Sequence, residues 1–331
     1  MASKISWLLP AGVEEILPPR ALQIEMFRRK IIDLFVQSGY ELIMPPILEF
    51  SDTLGGQAHE ELSEVSFSFD DRVSGKSISL RPDISAQASR IDAYRIQGKT
   101  KSKLCYVGDV VKSKSSQVIS SRLTVQAGAE IFGDSSFESD IESIRLMISS
   151  LESINIKNII LSIGHAGLIN IILNYFNKLL PTKEEAIRSA LSTKSTEDIK
   201  ELISKNVSKK DVDLLLSITG LFGGKETLDK ARRKLKELGM EAMVFIDYIE
   251  KIVNEFNEDD IQIHIDLGEI QGFKYHNGLT FSAFIKEASY PLAKGGRYDG
   301  ISKLDNPRPA VGFDLDLVAV SNFTDCDLNG R

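Results

Sequence analysis

The sequence predicts an α+β fold in which one sheet is interrupted by an inserted helical block. Three observations lead there. Strand-like runs occur at 103–132 and 156–163, and again at 260–268, 278–288 and 310–317. Between them, from about 167 to 240, the chain reads as helices with charged faces and repeated cap signals. Strands on both sides of a helical block indicate a single sheet rather than two independent ones. Finally, in 122–131 Leu123, Val125, Ala127, Ala129 and Ile131 alternate with Arg122, Thr124, Gln126, Gly128 and Glu130. A strand has a side-chain period of two, so one face is apolar and the other carries a polar row. The pattern alone equally fits a half-exposed strand with one wet face. An unpaired polar group under cover is costly, so a covered polar row implies that something polar lies on it.

The elements follow in order. Leu22, Met26, Phe27, Ile31, Leu34 and Phe35 form one stripe, which predicts a helix over 19–38 that Gly39 stops. ELIMPPILEF (41–50) is extended. Pro45 and Pro46 remove ladder donors and mark an edge or interface strand. Val65, Phe67 and Phe69, then DDRVSGK, then Ile78 and Leu80, predict a hairpin over 64–81. A helix is expected from about 84 to 96. KLCYVGDVV and the alternating stretch described above form two strands joined by a loop rich in Ser and Lys (112–121). Ile141, Ile144, Met147, Ile148 and Leu151 predict a helix at 139–154, followed by a buried strand at 156–163. In the helical block Thr182 with Glu185 fits a capping box, and Ser195 with Asp198 and Ser208 with Asp211 are looser versions. A helix at 240–257 leads back to the strands. The expected organisation is a core of 1–166 and 241–320, a helical insertion at 167–240, and a tail at 321–331.

Bulk properties exclude several classes. The chain has 331 residues, with 42% hydrophobic and 26% charged, the profile of an ordinary globular protein. A net charge of −7 argues against a broad nucleic-acid surface. Cys105 and Cys326 have no spacing that suggests a metal site or a disulfide framework, and no cofactor is indicated. The N-terminal MASKISWLLPAG lacks a secretory h-region, and no apolar run is long enough for a membrane span, so a cytoplasmic location is expected.

Several stretches together resemble the catalytic core of class II aminoacyl-tRNA synthetases, specifically histidyl-tRNA synthetase. GYELIMPPILE (39–49) is similar to the first signature, the dimer-interface strand, and LRPDIS (80–85) stands where the family has L-R-P-E-G-T. YVGDVVKSKSSQ (106–117) and QAGAEIFG (126–133) line up with the second signature. GFKYHNGLTF (272–281) resembles the histidine-specific stretch, and GGRYDG (295–300) with AVGFDLDL (310–317) the third signature region. The resemblance implies an antiparallel sheet of six or seven strands flanked by helices, and a dimer formed through 39–50.

Departures from the family pattern bear on function. Family arginines fall on Lys112, on Gln271, and at or near Ala319. A guanidinium grips phosphate and carboxylate oxygens in pairs, which neither an ammonium nor a neutral side chain reproduces. One arginine on a transferring phosphoryl group is worth about 10³–10⁵ in rate, so adenylation is expected to be negligible. The chain ends at Arg331, which leaves no room for an anticodon-binding domain, and no tRNA partner is expected. By the same resemblance the amino-acid pocket persists in part. Asp83, Gln126 and Glu130 match polar residues that hold histidine, Ser85 replaces a threonine with the same hydroxyl, and Tyr275 keeps its match. Asp83 suits an α-ammonium, and Glu130 with Tyr275 an imidazole. Lys112 is the candidate for the ligand carboxylate. His276 is either a pocket residue or a turn residue beside Asn277-Gly278, and Asp83 also suits a helix N-cap ahead of Ile84. His264 alternates with Ile263 and Ile265 and is expected to be structural, and His59 and His165, with no partner in view, are expected to be ordinary. The glycines of GGRYD are read as space for a ligand or for a tight strand approach rather than as a phosphate loop.

A synthetase-like core without catalytic arginines or an anticodon domain resembles the family of regulatory subunits of short-form ATP phosphoribosyltransferase. That resemblance implies a non-catalytic protein of histidine biosynthesis. It would assemble with a short catalytic subunit as four plus four chains and confer feedback inhibition by histidine. An active histidine-tRNA ligase and a stand-alone histidine-binding module are the alternatives.

Overall fold

Helix α1 (Arg20–Gln37) buries Ile24, Phe27, Ile31 and Phe35 at helical spacing, and Gly39 with φ 82° turns the chain away. The buried stripe is centred on Ile24, and Leu22, expected within it, is exposed. The computed structural model describes residues 8–54, 59–96, 101–114, 121–202, 207–256, 261–268, 276–299 and 308–324. The extended stretch at 41–50 forms two short strands rather than one. β1 (Glu41–Leu42) pairs in parallel at the rim of the main sheet, and β2 (Leu48–Phe50) joins a separate small sheet. Both lie at sheet edges, where the missing amide donors of Pro45 and Pro46 cost nothing.

Helix α2 (His59–Val65) leads into the hairpin β3 (Phe67–Asp70) and β4 (Ser77–Leu80), so Val65 belongs to the helix and not to the first strand. α3 (Ser85–Ile91) runs on into a π-helical turn at Asp92–Ile96. β5 (Ser102–Val111) and β6 (Leu123–Phe132) pair antiparallel along their full length, with Tyr106 opposite Gly128. α4 (Phe137–Ser153) starts at Ser136, whose hydroxyl accepts from the Ser139 amide. Next come β7 (Ile159–His165), α5 (Ala166–Leu179), α6 (Glu184–Ser192), α7 (Thr196–Leu202), α8 (Lys209–Ile218), β8 (Phe222–Gly223), α9 (Glu226–Leu235) and α10 (Met240–Glu255). Ser195 and Ser208 cap α7 and α8 as their spacing predicts. Thr182 does not cap α6: it sits at φ 79°, and the helix begins after Lys183 with no side-chain cap.

The last elements are β9 (Ile261–Asp266), β10 (Leu279–Phe284), β11 (Ala293–Asp299), β12 (Pro309–Asp316) and the short α11 (Leu317–Val320). The main sheet has the order β1-β5-β6-β12-β11-β10-β7-β9-β8 among the described residues. Six consecutive strands from β5 to β7 run antiparallel, as expected. β9 then joins in parallel with β7, and the two-residue β1 and β8 complete the rims. β11 was not legible as a strand, because its glycines mask the alternation. The second sheet, β2-β4-β3, is separate. α1, α4 and α11 cover one face of the main sheet. An apolar cluster continues from there into the helical block, joining Ile131 and Phe313 to Leu191, Ile199 and Leu215. A smaller cluster of Ile84, Leu104, Tyr106, Phe132 and Tyr298 lies on the other face, beneath α3. No described helix is long and apolar enough to cross a membrane.

One polar knot ties the layers together. Arg297 of β11 donates to Asp140 of α4 at 2.6 and 2.9 Å, and to Ser139 Oγ and the Asp134 carbonyl. Tyr248 of α10 also donates to Asp140. Asp140 is fully buried. His165 caps α5 through Nδ1 and stacks on Phe245 at 4.2 Å, and burial pushes its pKa down to about 4. Removing one partner of a buried ion pair strands the other charge. Arg297→Met is therefore expected to cost about 3 kcal/mol, read as a lower urea midpoint with unchanged slope.

Candidate functional site

The polar row of β6 faces a cavity, and the strand register builds it. Glu130 lies opposite Gly312 of β12, and Gly128 opposite Asp314. On β11, Lys294 lies opposite Asp314 and Gly296 opposite Gly312. The period of two puts these residues on one face of the sheet. Ala127, Ala129 and Ile131 point the other way, into the apolar cluster. Asp83, Ser85, Glu130, His276, Lys294 and Asp314 are the polar side chains of the lining, beside Leu62, Ala86, Tyr298 and Phe313.

Glu130 is the floor. It is 1% exposed, yet both carboxyl oxygens are engaged. Tyr298 donates to Oε2 at 2.9 Å, and Tyr106 donates to Oε1 at 3.2 Å. The Tyr106 hydroxyl is also 2.8 Å from Ser85 Oγ. Burial pushes the Glu130 pKa up to about 8, against the opposing effect of its hydrogen bonds to hydroxyl groups. The room for it comes from Gly312, where a Cβ would sit 1.7 Å from Oε2. Gly128 similarly admits the Tyr106 hydroxyl, which a Cβ there would approach to 2.4 Å.

Asp83 caps α3 with one oxygen and lies in the cavity lining. Its Oδ1 accepts from the amides of Ser85 at 2.7 Å and Ala86 at 3.4 Å, capping α3. Its Oδ2 accepts from Gln126 Nε2 at 2.8 Å, and the carboxylate lines the cavity. Gln126 is buried behind it. It accepts from the Ile84 amide at 2.8 Å, donates to Asp83 and also hydrogen-bonds Asp314, and it is not among the lining residues. His276 lines the cavity next to Gly296, where a Cβ would come within 2.4 Å of its Cδ2. Lys112 is not in the lining. Its backbone pairs with Arg122, whose guanidinium also holds the Lys112 and Ala11 carbonyls and lies over Phe67, so Arg122 is a strut. Tyr275 and Gln271 fall within 271–275, outside the described residues.

Sequence reasoning missed Lys294, Asp314, Tyr106 and Tyr298. Asp314 alternates with Gly312 in a stretch already read as a strand, which was the available signal. Lys294 is exposed within the cavity, and the charge of Asp314 raises its pKa, so it stays cationic. The cavity therefore presents two carboxylates, one ammonium, and a buried carboxyl under tyrosine hydroxyls. Such a lining suits a small zwitterion. It opposes a triphosphate, which needs concentrated positive charge.

The family model described as histidyl-tRNA synthetase matches residues 12–320. The ATP phosphoribosyltransferase regulatory subunit of Stutzerimonas stutzeri is 36% identical over 334 residues, covering 100% of this chain and 84% of that protein. Among solved structures, an ATP phosphoribosyltransferase regulatory subunit/histidyl-tRNA synthetase from Bacillus halodurans superimposes with a TM-score of 0.84 at 24% identity, over 98% of this chain and 85% of that one. A chain of the ATP phosphoribosyl transferase (HisG:HisZ) complex from Thermotoga maritima gives 0.63 at 19% identity, over 91% and 98%. At these identities the structural likeness concerns the fold.

The buried carboxyl of Glu130 has a measurable signature. Folded, it keeps its proton up to about pH 8, whereas an ordinary glutamic acid releases it near 4.5. Its contribution to folding is thus complete below pH 4.5 and is lost as the pH climbs toward 8. Between pH 5 and pH 8, wild-type stability should decline more steeply than that of Glu130→Gln. Parallel pH profiles of the urea midpoint would contradict the lifted titration.

Proposed function

The chain belongs to the histidyl-tRNA synthetase family, within its group of ATP phosphoribosyltransferase regulatory subunits, and from that premise we propose that it is the histidine-responsive, non-catalytic subunit of a cytoplasmic ATP phosphoribosyltransferase. The observation that carries the histidine part of this reading is the cavity floor. Glu130, held between Tyr106 and Tyr298, offers a polar group at the depth an imidazole would reach, and Asp83 at the rim faces an ammonium. The non-catalytic part is supported by what lies around that floor. Lys112 is outside the lining, and Ala319 is a buried apolar residue of α11. The partner is a short phosphoribosyltransferase catalytic chain, in keeping with the names of the relatives and of the Thermotoga maritima complex. Histidine bound in the cavity would inhibit through a difference in affinity between active and inhibited assemblies, typically about 1–3 kcal/mol.

Self-association is the second part of the proposal. Leu42, Met44, Ile47, Leu48 and Phe50 are exposed, and Phe69 of the small sheet lies on the same face as Phe50. A contiguous apolar strip of this kind marks an interaction surface. A second copy of the chain is its natural occupant, in the symmetric pairing from which a four-plus-four assembly could be built.

Reconstitution tests the function. Added to a short catalytic subunit, the chain should raise phosphoribosyl transfer and make it sensitive to histidine. Glu130→Ala should raise the inhibitory histidine concentration about 10- to 100-fold, the range of a hydrogen bond to a charged group. Histidine-dependent ATP–pyrophosphate exchange by the chain alone would overturn the reading. Sedimentation checks the interface: Met44→Glu, at a side chain 84% exposed, should shift dimer toward monomer without loss of folding, and an unchanged dimer would place the contact elsewhere.

A further inference from the structure

We propose that Lys294 is the carboxylate-binding residue of the amino-acid cavity, and that it sets selectivity for a free α-carboxylate. The inference rests on the reading of the cavity as a histidine site and deepens it. An amino-acid zwitterion needs a cation at one end. Lys112, the residue expected to supply it, is not in the lining. Lys294 is. It projects from β11 on the same face as Glu130, and it is the one lysine or arginine among the described lining residues.

Three features fit it to that task. The next two residues, Gly295 and Gly296, line the cavity beside it and let the His276 ring and the neighbouring strands pack close. Its cross-strand neighbour Asp314 keeps it charged. The residue is exposed within the cavity, where a ligand carboxylate can share its ammonium with Asp314. Asp314 and Lys294 then bracket the zwitterionic end of the ligand, with the ammonium on the side of Asp83 and Asp314, while the side chain points down to Glu130. The arrangement supplies opposite charges side by side, which a ligand lacking its carboxylate would leave half used.

Titration calorimetry on the full chain tests this with two probes, L-histidine and L-histidinol, which differ in the carboxylate. Wild type should bind histidine about 10- to 100-fold more tightly than histidinol, the range of one hydrogen bond to a charged group. Lys294→Met should lose that preference by weakening histidine alone, and Lys294→Arg should restore most of it. The exposed position makes both variants compatible with folding, which their urea midpoints would verify. A Lys294→Met protein that still prefers histidine by the wild-type factor overturns the assignment and leaves the histidine site standing. Wild type that binds both probes equally also overturns the assignment alone. Wild type that binds neither overturns the histidine reading and the assignment with it.

Discussion

The structure around the cavity depends on keeping one carboxyl group out of water. Burying Glu130 is tolerable only if both oxygens have partners and if the adjacent strands leave room for it. The partners come from two strands that do not touch each other, Tyr106 on β5 and Tyr298 on β11. The room comes from β12, where Gly312 stands directly opposite Glu130 and any side chain would collide with it. Four adjacent strands are thus committed by one group, each at a residue whose identity the carboxyl dictates. Lifting the pKa is the consequence of that burial. With its pKa raised to about 8, Glu130 is largely a protonated acid near neutral pH and can donate as well as accept.

A second chain of contacts runs from the cavity to the apolar strip at 42–50. Gln126 holds Asp83, and Asp83 caps α3. One turn on, Gln87 of α3 donates to the Pro46 carbonyl at 2.8 Å, and Arg81 donates to the Pro45 carbonyl at 2.7 Å and to Asp109 of β5. Asp83 is thereby joined, through the start of α3, to the side chains that hold the Pro45-Pro46 bend. Spatial continuity of this kind becomes regulation only where the segment has two arrangements of different affinity.

Much of this was legible in the sequence, and the remainder failed for physical reasons. Alternation in β6 located the polar face, because a period of two survives wherever one face is buried. Of the two readings of Asp83, the cap is what its Oδ1 does, and its second oxygen is held by Gln126 at the cavity. Gln126 looked like a ligand contact and is a brace, a distinction that depends on which strand covers it. Lys294 was invisible for the same reason as β11. Two successive glycines erase the alternation, and nothing local says that a lysine beside them faces Asp314 fifteen or more residues away across a sheet. Leu22 and Thr182 were misplaced by local rules that tertiary packing and backbone geometry overrode.

The charge of the lining decides which chemistry the cavity can support. An enzyme that activates an amino acid on ATP must hold three phosphates beside the carboxylate, and every unit of phosphate charge needs a cation that does not leave when the reaction proceeds. Here Asp83 and Asp314 outnumber Lys294, with His276 the one further titratable base in the described lining. A triphosphate entering would meet net negative charge and lose more by desolvation than it gained. A zwitterion meets the opposite situation, because each of its charges finds a partner of the other sign and the sum stays near neutral. The same balance that excludes activation makes occupancy reversible.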